Sequence, residues 1–151
     1  MPKHRRLSDM QTKAIKDPQI FVSQELRKVF DDMKKYGEFK TLENKDLFML
    51  AVLFGYLNGK TKPLGSQDKT ESGFTRERYL SDKDNAILKA IAIAETGTID
   101  IADDVPKVYA IAEKYANGGT NYLKEFVFDD PASFTKKYAS LLKELCSKRN
   151  T

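Results

Sequence analysis

A chain of 151 residues with 40% hydrophobic and 32% charged residues, nine Phe, seven Tyr and no Trp has the make-up of one folded domain rather than a disordered chain. Its single cysteine, Cys146, excludes an internal disulfide and a cysteine-based metal centre, and fits a reducing, cytoplasmic setting. The net charge of +4 belongs to the first 16 residues, where Lys3, Arg5, Arg6, Lys13 and Lys16 face Asp9 alone; setting these aside from totals of 26 basic and 22 acidic residues leaves 21 of each.

Residues 1–16 are therefore expected to be a basic, flexible tail, and residues 17–151 a single helical domain that is formally neutral. No apolar run follows the tail charges, so a secretory signal is not expected. No stretch approaches the ~18 apolar residues of a membrane span; the longest, Leu47 to Leu57, is interrupted by Gly55.

Asp17-Pro18 has the form of a cap followed by a first-turn proline and predicts a helix from there. Val22, Leu26, Val29, Phe30 and Met33 supply its apolar stripe, and Gly37 its stop. Asn44 is placed to cap a second helix that is apolar on all sides from Leu47 to Phe54, as a central helix must be. Gly55 inside it lowers helix propensity and so points to close approach of a neighbour; Gly59 ends it.

Residues 60–73 are polar and rich in breakers, a long surface loop. Phe74 to Leu80 suits a short strand or an extended segment. Ser81 with Asp84 forms a capping box for a helix with the stripe Ala86, Ile87, Ala90, Ile91 and Ala94, closed by Gly97. Asp103 or Asp104 with Pro106 starts the next, carried by Val108, Ile111, Ala112 and Tyr115 and closed by the turn Asn117-Gly118-Gly119. Thr120 caps a short helix through Leu123 and Val127, and Asp130-Pro131 opens a last one through Phe134, Tyr138, Leu141, Leu142 and Leu145. The fold class is mainly α, a compact domain of about six helices. Its core is expected to include Leu26, Phe30, Leu50, Phe54, Ile87, Ile91, Ile111, Leu123, Phe134 and Leu142.

The chemistry-bearing residues are few. His4 is the only histidine and lies in the tail, so no Ser-His-Asp or Cys-His set can form in a folded site, and no phosphate-binding glycine loop is present; no cofactor is implied. Glu95, Asp100, Asp103 and Asp104 could serve a metal, but they straddle a helix stop and a helix start, where acids are expected as caps. Arg76 and Arg78 alternate with Thr75 and Glu77 between Phe74 and Tyr79, near Lys60, Lys62 and Lys69. Basic groups interleaved with aromatics can track a phosphate backbone and stack on bases, or the aromatics enter the core and the charges are simply solvated. The candidate nucleic-acid contacts are Lys3, Arg5, Arg6, Lys62, Arg76 and Arg78.

Several phrases, Gly37-Glu38-Phe39-Lys40-Thr41, Asp46-Leu47-Phe48-Met49-Leu50-Ala51, Phe54-Gly55-Tyr56 with Gly59, Ala92-Ile93-Ala94-Glu95-Thr96-Gly97 and Tyr115-Ala116-Asn117-Gly118-Gly119, together resemble the Dnd system-associated protein 4 family. Its members are small proteins encoded near the genes for DNA phosphorothioation and the linked restriction machinery. The resemblance runs from about Gly37 to Leu123 and implies a prokaryotic accessory protein of a DNA modification or anti-phage defence module, acting in a complex with protein partners. It supplies no catalytic residues. The leading expectation is a non-catalytic, cytoplasmic protein-binding subunit; the alternative is a weak, sequence-independent nucleic-acid binder using the tail and the 60–79 loop.

The purified protein is accordingly expected not to cleave DNA, with or without a divalent metal. Metal-dependent cleavage that disappears on changing Asp103 and Asp104 would overturn this.

Overall fold

Long helices start where the chain can occupy their first unpaired N–H groups, and four such starts organise the described residues. In the computed structural model, which describes residues 17–36, 39–69 and 73–129 and isolated helical positions at 139–140, 143–144 and 147, Ser23 accepts from the Leu26 N–H at 3.1 Å and opens α1, Gln24–Met33. The Asp46 carboxylate reaches back to the Glu43 N–H at 3.1 Å at the start of α2, Asn44–Leu57. Ser81 and Asp84 form a reciprocal box, both bonds 3.0 Å, at the start of α3, Asp82–Thr96. Asp104 accepts from the Lys107 N–H before α4, Val105–Gly118, which carries Pro106 in its first turn, and α5 follows as Thr120–Asp129. A two-stranded antiparallel sheet, β1 (Gln19–Ile20) with β2 (Thr75–Arg76), completes a mainly α fold.

The apolar α2 is the hub, with Leu47, Phe48, Leu50, Ala51, Val52, Phe54 and Gly55 all buried. It packs most extensively on α4, and also on α5 and β2; α3 lies against α4, and α1 against α5. The α2–α4 contact brings backbone to backbone. A Cβ on Gly55 would run into the Tyr115 carbonyl, and one on Gly119 would meet the Ala51 carbonyl and sit 2.6 Å from the Gly55 nitrogen. Gly55 of α2 and Gly119, just past the end of α4, thus each face main chain across the contact, as the loss of helix propensity at Gly55 anticipates.

Several boundaries differ from the sequence reading, each for a physical reason. No helix begins at Asp17-Pro18: Ile20 is fully buried in the strand pair, opposite Thr75, and the helix waits for Ser23. Glu43, not Asn44, is the cap residue of α2, because the Asn44 carboxamide donates to the Phe74 carbonyl and accepts from Lys34 Nζ, both at 2.9 Å. Gly118-Gly119 makes no left-handed turn; positive φ among the described glycines occurs only at Gly59 and Gly97, and α5 resumes one residue after α4. Thr120 does not cap, since its hydroxyl donates backwards to the Asn117 carbonyl at 2.8 Å. The 60–73 loop contains a 3-10 turn, Ser66–Lys69, and β2 runs into another, Glu77–Tyr79.

The core holds Leu26, Phe30, Leu50, Phe54, Ile91 and Leu123, with Ile111 half-buried against it. Ile87 is 49% exposed, because α3 is rotated so that Leu88, Ile91 and Ala92 face inward. Gly37, Asp130-Pro131, Phe134 and Leu142, with the last helix expected there, lie outside the described residues.

Three substitutions test the packing. Gly55→Ala should cost at least about 2 kcal/mol in urea unfolding, since what must move is backbone. On α3, Ile91→Ala should cost roughly 2–5 kcal/mol and Ile87→Ala under about 0.5; equal losses would mean that the helix is rotated otherwise.

Candidate functional site

Three features outside the core bring polar or apolar groups together. The first is the strand pair. The Phe74 N–H donates to the Ile20 carbonyl at 2.7 Å and the Glu77 N–H to the Pro18 carbonyl at 3.1 Å, while the Phe21 N–H donates to the buried Glu113 carboxylate of α4 at 2.7 Å. These bonds set Asp17 beside the two arginines. Arg78 Nε and Nη2 lie 2.9 and 2.7 Å from Asp17 Oδ2, the Arg78 N–H 3.3 Å from Oδ1, and Arg76 Nη1 3.5 Å from Oδ2. Partial burial pushes the Asp17 carboxyl up, but the Arg78 and Arg76 hydrogen bonds and charge together outweigh that and hold it below its ordinary value. The Arg78 guanidinium also sits 5.7 Å from the ring centroid of Tyr79, which is 55% exposed.

The second feature is a cleft of about 420 Å³ where the start of the long loop crosses the α4–α5 junction. Lys60, Lys62, Glu25, Asn121, Tyr122 and Glu125 are among its walls. The loop is strapped down along its main chain. The Lys60 N–H donates to the Gly55 carbonyl at 2.9 Å and the Lys62 N–H to the Lys114 carbonyl at 3.0 Å, and Asn117 Nδ2 donates to the Lys62 and Pro63 carbonyls at 3.1 and 3.0 Å. Gly118 lies directly under this crossing, where a Cβ would strike the Lys60 carbonyl.

The third is the outer face of α3, where Ala86, Ile87, Ala90 and Ala94 are all exposed and recur at helical spacing. Ile99, in the 3-10 turn Ile99–Asp103 that follows the helix, is exposed too. Three polar side chains of α3 turn the other way. Asn85 accepts from the Tyr109 hydroxyl at 2.7 Å, Glu95 accepts from the Tyr115 hydroxyl, and Asp84 lies 3.3 Å from Lys45 of α2. Burial raises Tyr115 first and the Glu95 hydrogen bond and charge add to it, so the phenol is pushed up to about 12. Tyr109 is raised further, by burial and then by the Glu77 charge.

Among the sequence-nominated contacts, Lys62 is an exposed wall of the cleft, whereas Arg76 and Arg78 meet at Asp17; Lys3, Arg5 and Arg6 lie outside the described residues. The four carboxylates considered for a metal part company: Glu95 serves Tyr115, Asp104 its own helix, and Asp100 and Asp103 lie in a turn capped by Thr98. Among the described residues no three His, Cys, Asp or Glu side chains gather as a metal site, and no helix is long and apolar enough to cross a membrane. Asp17 as counterion and Asn117 as loop strap were missed from sequence. A bond between positions 59 or 61 residues apart leaves no local signal, though the polar Asn117 before two glycines marked the right place.

A family model described as DNA sulphur modification system-associated protein 4 matches residues 19–151. Comparison with the curated proteins and with the solved structures yields no match.

The Tyr115 shift makes a pH prediction. A phenol raised in the fold from 10.0 to about 12 contributes stability that is complete below pH 10 and is lost as pH rises toward about 12. Tyr115→Phe should cost about 1 kcal/mol at neutral pH and flatten part of this alkaline loss; urea midpoints across that range measure both.

Proposed function

The chain belongs to the DNA sulphur modification system-associated protein 4 family, and from that premise we propose that it is a non-catalytic accessory subunit of such a system, serving prokaryotic anti-phage defence in the cytoplasm by binding a protein partner. The observation that carries this reading is the outer face of α3. Four apolar side chains lie open on one face of a well-capped helix whose Asp84, Asn85 and Glu95 are bonded to α2 and α4. Water gains nothing from Ile87 there, and the residue is 49% exposed with no role in the core.

The charge distribution supports the same reading. From residue 17 onward the chain is balanced, 21 basic against 21 acidic residues after the tail is set aside from the totals of 26 and 22. A dedicated duplex-DNA binder concentrates Lys and Arg on one face. Among the described residues, ion pairs tie Lys35, Lys45, Arg76, Arg78 and Lys107 to neighbouring aspartates.

Co-expression with the proteins of the modification system, followed by size-exclusion chromatography, tests the proposal. Co-elution is expected, and Ile87→Asp should weaken it at least about tenfold while leaving the urea midpoint unchanged. Co-elution that survives Ile87→Asp removes α3 as the docking face.

A further inference from the structure

The Asp17 clasp is more than the strand pair requires. β1 is already held by main-chain bonds to Phe74 and Glu77 and by the bond from Phe21 to Glu113. An ion pair this exposed adds little to stability, Arg78 being 59% and Asp17 25% accessible. Yet three guanidinium nitrogens from two arginines converge on a single carboxylate oxygen, at 2.7, 2.9 and 3.5 Å. Forked guanidinium donors around one anionic oxygen are how proteins hold a phosphate. Beside them is a tyrosine, 55% exposed, with a guanidinium already against its ring. Glu77, the other acid of this segment, lies against the Tyr109 phenol.

We propose that Arg76, Arg78 and Tyr79 form a binding site for single-stranded nucleic acid, in which Asp17 occupies the place of a backbone phosphate until a strand displaces it. The arginines take the phosphate and the Tyr79 ring takes an unpaired base, a surface that a stacked duplex cannot reach. The occupant is tethered to its site, so it competes with every phosphate at high local concentration and keeps resting affinity low. It also sits where the chain passes from the tail into the fold: Lys16 adjoins Asp17, and four further basic residues precede it. The site is separate from the outer face of α3 and does not depend on what that face binds.

The test is fluorescence anisotropy on the full chain at two salt concentrations, with a short mixed-sequence single strand and its duplex as probes. Asp17→Asn is expected to bind the single strand at least about threefold more tightly than wild type, with a steeper fall as salt rises, and to gain less for the duplex. Adding Arg76→Gln and Arg78→Gln should cancel the gain. Tyr79→Ala should weaken single-strand binding in both the Asp17→Asn and wild-type backgrounds; the latter leaves the clasp in place and keeps the test valid if Asp17→Asn folds poorly. The proposal is overturned if Asp17→Asn binds no more tightly. It is also overturned if the gain survives loss of both arginines, which would make it a general charge effect. A third overturning result is inorganic phosphate at matched ionic strength displacing the strand while Tyr79→Ala changes nothing, the mark of a plain phosphate site.

Discussion

The close approach of α2 and α4 is the contact on which the rest of the molecule depends. Gly55 of α2 lies against the Tyr115 carbonyl, and Gly119, just past α4, lies against α2 in return. Two backbones this close leave no room for side chains between them. The bulky residues of α2 must therefore project to either side, where α5 and β2 also pack on them. The glycines at 118 and 119 follow the same logic. Neither has a positive φ, so they are there for lack of a Cβ, one beneath the loop and one beneath α2. The α4–α5 junction is a near-continuous pair of helices seated on α2, and the loop strapped across it by Asn117 makes one wall of the cleft.

That geometry also decides which way α3 turns. Asn85 reaches Tyr109, Glu95 reaches Tyr115 and Asp84 reaches Lys45, so the hydrogen-bonding edge of the helix faces α4 and α2. Leu88, Ile91 and Ala92 follow it inward, and the small apolar residues are left on the outside. A helix with two apolar faces can satisfy only one of them within a single domain. The second is the feature of this structure that fits a protein partner and the accessory role proposed for a member of a DNA sulphur modification family.

The charged groups are arranged by the same principle of local satisfaction. Lys35, Lys45, Arg76, Arg78 and Lys107 meet aspartates on their own or adjacent elements. Arg76 and Arg78 are the instructive case. Their alternation with Glu77 puts two like charges on a short segment, and the fold answers with Asp17, 59 and 61 residues away along the chain. A counterion supplied this way neutralises the pair without burying it, and leaves open what other anion could take its place.

Sequence by itself determined the helical class, the central place of α2, the cap at Ser81, a cap at Asp103 or Asp104 that the structure assigns to Asp104, the helix stops at Gly59 and Gly97, and the tight contact at Gly55. All of these rest on forces within a turn or two of chain: hydrogen bonding to free N–H groups, glycine's conformational range, and an apolar run too wide for a surface helix. The same local logic misplaced the start of α1, because a cap and proline at Asp17-Pro18 cannot reveal that Ile20 pairs with Thr75. It misjudged Ile87, because Ala86, Ile87, Ala90 and Ala94 and Leu88, Ile91 and Ala92 are both valid stripes of one helix, and only the positions of Tyr109 and Tyr115 on α4 choose between them. Only the tertiary structure could set Asp17 between Arg76 and Arg78, or turn an expected core residue into an open face, because both follow from contacts between segments whose separation in sequence carries no record of their meeting in space.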